Sequence, residues 1–372
     1  MISTTAKPTY DMYKGYMRIK SVILSFAIAI SIATLFPFFY SEAESKPKLG
    51  VILPLTGKAT IAGEAVRNGA TMANDILGAP FELVFEDNGL DNGKTISAAR
   101  KLLKTEGVLG IIVYASGPSN VASPIAEAAE IPMIGMSVDL NVSRNKNWVM
   151  IHWASNKNVA DMLFEELERR SVKSIAILTS QVQGTIDLEE YFLSVASKKG
   201  IEVVFKKQLL PTEIDFQTPI TVLKQKQPEA IFVNLYYGQA GLFTNQAVKM
   251  GLKPQFFSHF IFDDDNEIKN AEGSLEGAFF ANTSSGDLSF DKEYKVRFGK
   301  RPVVGGIAAY DIVELFYEAF KNSDGSKSGI NKFLHTVRDF NGKIGRYSAL
   351  PNNSFDVPTS LRIITNGEAI QK

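Results

Sequence analysis

Short apolar runs alternate with helical patterns almost without interruption after residue 47, and this alternation constrains the fold more than any other feature of the chain. "KLGVIL" (48–53) is long enough for a buried strand and too short for a helix. The following "GEAVRNGATMANDIL" places Val66, Ala70, Ala73 and Leu77 at helical spacing. "FELVFED", "VLGIIVYA" and "IPMIGMS" read as further strands, with "NGKTISAARKLLKTE" and "PSNVASPIAEAAE" as the helices between them. Strand–helix–strand units of this kind build a mostly parallel sheet with right-handed crossovers. The segment 148–153 then reads as an extended crossing, after which a second series begins with "KSIAILTS" and continues through "IEVVFKKQLL", "EAIFVNLYY" and "PQFFSHF". "VVGGIAAYDIVELFYEAFKNS" and "GINKFLHTVRD" are late helices and "SLRIITNG" a late strand.

The expected fold is therefore α/β: two Rossmann-like three-layer lobes joined by a multi-strand hinge. We expect residues 44–150 and 277–335 in the first lobe, and 151–276 and 336–372 in the second lobe and the crossings. Ligands of such sheets bind at the C-terminal ends of the strands.

The N-terminus carries a different signal. Lys14, Arg18 and Lys20 precede an apolar run over 21–40, and Ser41 and Ala43 supply small residues for cleavage. This is the pattern of a secretory signal, expected to span 1–43, with Met1, Met12 and Met17 as candidate starts. The run is also long enough for an uncleaved anchor; Pro37 and the small-residue end favour cleavage. An extracytoplasmic or periplasmic location follows.

Composition closes several routes. The chain has 372 residues and no Cys, which excludes disulfides and thiolate chemistry. Lys plus Arg and Asp plus Glu number 40 each, so charge gives no support for nucleic-acid binding. "GLDNGKT" (89–95) resembles a phosphate loop, but three residues separate Gly89 and Gly93 where four are required. It reads better as a polar turn capped by Asn92. His152, His259 and His335 lie far apart, with no second ligand at helical spacing for a metal. "FDDDNE" (262–267) lacks the Gly and final Glu of a calcium loop and is expected to be a solvated loop. No nucleophile–base pair appears, so neither catalytic residues, a metal nor a cofactor is expected. Polar loops at strand ends remain: Ser116 at a helix start, Ser137 and Asp139 after the fourth strand, and Tyr236 and Tyr237 in the second lobe. Free N–H groups at the helix start favour an anion such as a carboxylate.

In order along the chain, "GVILPLTGKATIAGEAVRNGATMA", "FEDNGLDNGKTISAARKLL", "GIIVYASGPSNVASPIAEAAEIPMI", "IAILTSQVQG", "QAVKMGLKPQFF" and "FNGKIGRYSALPNNSFDVPTSLRIITNG" resemble the type I periplasmic solute-binding proteins. The nearest branch is the Leu/Ile/Val-binding proteins of ABC importers. The resemblance implies a monomer that closes two lobes on a small solute and delivers it to ABC permease subunits. It implies ligand contacts at Tyr114, Ser116, Ser137, Asp139, Tyr236 and Phe260, and at Gln183 or Gly184, where the family's aromatic is missing. Phe260 falls where the family holds an amino group with an acid, and Ala62 where relatives place an aromatic. Asp139 either supplies the missing charge or caps its own turn. An amino-acid-like, amide or aromatic solute is expected; the alternative is a tethered or regulatory sensor of the same fold.

Overall fold

The computed structural model describes residues 46–284, 286, 288–303 and 305–372. The expected export segment lies outside the described residues.

The first sheet contains β1 (Lys48–Leu53), β2 (Glu82–Asp87), β3 (Gly110–Tyr114), β4 (Met133–Met136) and β5 (Val149–Ile151). Its order is β2-β1-β3-β4-β5 and every pair is parallel. The central strands β1 and β3 are buried almost throughout, and they read as continuous apolar runs because helices cover both sheet faces. Those helices are α1 (Thr60–Ile76), α2 (Asn92–Lys101) and α3 (Ser116–Ala128). Asp91, not Asn92, caps α2: its carboxylate accepts from the Lys94 N–H.

Crossing into the second lobe, the chain forms α4 (Asn156–Arg169), β6 (Ser174–Ser180), α5 (Gln183–Lys199), β7 (Glu202–Leu209), α6 (Gln217–Lys226), β8 (Ala230–Asn234), α7 (Ala240–Lys249), β9 (Gln255–Ser258), α8 (Asp265–Asn270) and β10 (Phe279–Thr283). The final strands β13 (Thr359–Thr365) and β14 (Glu368–Gln371) complete a seven-stranded sheet of order β14-β13-β10-β9-β8-β6-β7. The strands from β6 to β10 pair in parallel, and β13 and β14 add antiparallel. Phe192, Phe232, Phe257 and Phe279 form a row of near-parallel rings, with neighbouring centroids 4.3, 5.2 and 5.4 Å apart. Stacked aromatics of this kind supply large apolar area with defined geometry.

Between β10 and β13 the chain returns to the first lobe as α9 (Leu288–Phe298), α10 (Gly306–Lys321), α11 (Lys327–Thr336) and the hairpin β11 (Phe340–Gly342) and β12 (Gly345–Tyr347). Two expected boundaries are corrected here. Residue 277 does not begin the return, because β10 is an interior strand of the second sheet. Nor does residue 336 end it. The hairpin loop is held on α10, where the buried Asp311 carboxylate accepts from the Lys343 and Ile344 N–H groups at 2.7 and 3.1 Å. Neither boundary has a compositional mark, since both lobes are built from the same alternation.

The sheets are connected after β5, after β10 and between β12 and β13. These crossings are strapped together: Ile151 N–H donates to Asn353, Phe355 N–H to Ile151 and Ser284 N–H to Pro358. "FDDDNE" also departs from expectation. Asp263, Asp264 and Glu267 are buried rather than solvated. Asp263 meets Arg301 and Arg362, Asp264 caps α8, and Glu267 accepts from the N–H groups of Gly238 and Gly241. A run of acids looks solvated until its partners, distant in sequence, are known.

Candidate functional site

The strand ends of both sheets converge on one cleft with about 780 Å³ of space, part of it open to solvent. From the first lobe, β3 delivers Tyr114 and the turn Ala115–Ser116–Gly117, and β4 delivers Met136 and Val138. The second lobe contributes Val182, Gly184 and Thr185 after β6, Tyr236 and Tyr237 after β8, and His259 and Phe260 after β9. Asn282 of β10 lies beside them, and Trp153 comes from the first crossing.

Rings form most of the wall. Tyr114 meets Trp153 edge-on at 6.3 Å, Trp153 meets Phe260 at 6.0 Å, and Tyr236 meets Tyr237 at 5.2 Å. The Tyr114 and Tyr237 hydroxyls hydrogen-bond to each other at 2.7 Å, joining the two lobes across the cleft. Burial pushes the Tyr236 hydroxyl up to about 12, so it stays protonated and can donate. Among the described residues, no Asp, Glu, Lys or Arg lines this cleft.

The expected contact residues separate into two groups. Tyr114, Ser116, Tyr236 and Phe260 line the cleft. Ser137 does not; it lies buried behind Ser116 and donates to its Oγ at 2.9 Å. Gln183 turns along its own helix, donating to Asp187 at 2.7 Å on the exposed side. Asp139 is buried and occupied: Oδ1 accepts from Asn141 N–H at 2.8 Å and Oδ2 from Asn120 at 2.6 Å. It caps the short turn Leu140–Val142 and bounds a second, outer cavity instead. It therefore does not replace the missing counter-charge. Ala62 is fully buried within α1 and forms no part of the cleft wall. Lys58, in the loop after β1, is exposed and reaches across to Gly238 in the other lobe.

Sequence reading missed Trp153, Asn156, His259 and Asn282. Trp153 carried a partial signal, as an aromatic in the segment read as a crossing, although Trp148 of the same segment does not line the cleft. The others sit next to correctly placed strand ends but show no local pattern.

The entry to α3 is strained. Ala115 has φ 74° and ψ 152°, a region that residues with a Cβ rarely occupy. That conformation marks the turn from β3 into α3, whose first residues, Ser116 and Gly117, line the cleft. Ala115→Gly is expected to relieve about 1–3 kcal/mol of strain against about 0.5–1 kcal/mol of added unfolded-state entropy. The net stabilisation of about 1 kcal/mol would raise the urea midpoint; a lowered midpoint would contradict it.

Comparison with known proteins agrees with this architecture. Residues 46–357 match the family described as periplasmic binding protein. Leu/Ile/Val-binding protein homolog 7 of Brucella suis biovar 1 (strain 1330) is 23% identical over 246 residues, and the match spans 61% of this chain and 61% of that protein's length. A leucine-binding protein from Thermotoga maritima MSB8 superposes with a TM-score of 0.81 at 24% identity, covering 88% of this chain and 97% of that one. An ABC-transporter solute-binding protein from R. palustris, solved in complex with benzoate, gives a TM-score of 0.79 at 17% identity, covering 87% and 94%. At these identities the structures establish a shared two-lobed α/β fold, and the match over residues 46–357 shows that the chain belongs to the periplasmic binding protein family.

Proposed function

We propose that the chain is the extracytoplasmic solute-binding component of an ABC-type importer, and that its solute is an aromatic or otherwise apolar acid or amide without an α-ammonium group. The observation that carries the solute class is the lining of the cleft: a wall of aromatic rings with no charged side chain among the described residues. An ammonium group buried there without a counter-charge would cost several kcal/mol, roughly. A carboxylate is better served. Ser116 and Gly117, the first residues of α3, line the cleft at the helix start, where the helix dipole favours negative charge. The benzoate complex of the R. palustris relative supports the same direction.

Binding works by closure. The solute bridges the strand ends of both lobes, the Tyr114–Tyr237 bond forms as they meet, and the closed form is presented to the permease subunits. Export by the segment 1–43 belongs to the same reading.

A thermal-shift screen across L-leucine, aliphatic and aromatic amides, and benzoates tests the solute class, because a ligand that binds only the folded state raises the melting temperature. Aromatic acids are expected to give the largest shifts, and tight binding of L-leucine would sink the proposal. For the best solute, Ser116→Ala and Tyr236→Ala are each expected to weaken binding about tenfold, read by titration calorimetry. Unchanged affinity in both variants would remove the cleft assignment.

A further inference from the structure

The polar side chains bounding the cleft mostly satisfy one another within the protein. Ser116 Oγ accepts from Ser137, and the Tyr114 and Tyr237 hydroxyls pair. Thr185 Oγ1 donates to the carbonyls of Ser180 and Val182. Asn282 donates to Asp263, and its own carbonyl accepts from the Thr283 N–H. His259 differs. It is 3% exposed, and neither Nδ1 nor Nε2 has a partner. Among the described cleft residues it is the one whose side-chain polar atoms are all buried and all unpaired.

Its surroundings explain its state. The ring lies edge-on to Phe260 at 4.6 Å and to Phe232 at 6.5 Å. Burial among such neighbours disfavours the imidazolium and lowers the pKa to about 3, so the ring is neutral at physiological pH. A neutral imidazole carries one donor and one acceptor. It offers no net charge to a carboxylate or an ammonium, yet leaving both nitrogens dry is unfavourable. The best partner is an uncharged group that itself both donates and accepts. Ser116, at the start of α3 on the opposite lobe, lines the same cleft.

We propose that His259 is a specificity-determining ligand contact that pairs with a hydroxyl or amide substituent on the ring of an aromatic acid, and that it disfavours analogues lacking that substituent. This rests on the aromatic-acid reading given above. A site that hydrogen-bonds such a group rejects the analogue without it because its own polar atoms are left unpaired, whereas an apolar pocket discriminates poorly.

Titration calorimetry with benzoate, 3-hydroxybenzoate, 4-hydroxybenzoate and 4-carbamoylbenzoate tests it. At least one substituted acid is expected to bind the wild-type protein about tenfold or more tighter than benzoate. His259→Phe is expected to bring that ratio near one by weakening the substituted acid, and His259→Gln, which keeps a donor and an acceptor, to restore part of it. A ratio unchanged in His259→Phe, or benzoate binding as tightly as every substituted acid, overturns the proposal while leaving the aromatic-acid reading intact. Binding of none of the four acids removes that reading and the proposal with it. A readout that needs no variant is the imidazole nitrogen resonances of ¹⁵N-labelled protein, which has three His. Adding the tightest acid is expected to shift the His259 pair, and resonances that do not move would overturn the contact.

Discussion

Arg301→Gln is expected to weaken solute binding about tenfold, although Arg301 does not line the solute cleft. The residue follows α9 on the first lobe, where the neighbouring Arg297 and Lys300 pair with Asp75 and Glu64 of α1. Its guanidinium crosses to the second lobe. Nη1 donates to Asp263 Oδ1 at 2.8 Å, Nη2 to the Asp263 carbonyl at 2.8 Å, and Nε and Nη2 to Asp265 Oδ1 at 3.0 and 2.6 Å. In the closure proposed above, opening the cleft breaks these bonds, so they count only toward the closed form. Hydrogen bonds to charged groups contribute about 1.5–3 kcal/mol, but Asp265 is 47% exposed and its share is screened. The lower end of the range is therefore the appropriate one. Asp263 keeps a second partner, Arg362 of β13, at 3.0 Å to both oxygens, so the variant leaves no buried charge unpaired and should fold. Calorimetry of the best solute, with X-ray scattering to follow closure, checks this. Unchanged affinity would mean that closure does not depend on the Arg301 bridge.

Gly69→Ala is expected to destabilise the folded chain by about 3 kcal/mol, the upper part of the usual range for overpacking. Gly69 lies in α1 where that helix crosses α10. A Cβ there would fall 1.9 Å from the Gly306 carbonyl oxygen and 2.7 Å from its carbon. Both are backbone atoms, so no side-chain rotation relieves the clash and the helices must move apart. The better helix propensity of Ala offsets only about 1 kcal/mol. A lowered urea midpoint with an unchanged slope is the expected result. An unchanged midpoint would show that the crossing is looser than its geometry indicates.

The two buried histidines show how differently one residue type is read before and after folding. His152 and His259 are both held near pKa 3 by burial, and both lack hydrogen-bond partners. His152 lies among crossing residues, edge-on to Tyr347 at 4.9 Å and tilted against Phe355 at 5.5 Å. His259 lies on the cleft. Nothing in the one-dimensional pattern separates a hinge histidine from a cleft histidine.

The sequence alone determined the two α/β lobes, most strands and helices, and the strand ends that carry Tyr114, Ser116, Tyr236 and Phe260. Strand and helix periodicity is a local record of which faces meet the core, and loops at strand ends are where these sheets bind. The tertiary structure alone decided that β10 stays in the second sheet and that Asp139 caps a turn. It likewise decided that Asp263, Asp264 and Glu267 of "FDDDNE" are buried, Asp263 against Arg301 and Arg362, and that Trp153 and His259 line the same space. Each of these depends on which distant groups meet. Burial, and hence the cost of leaving a charge or an imidazole unpaired, is a property of the assembled neighbourhood and has no period along the chain.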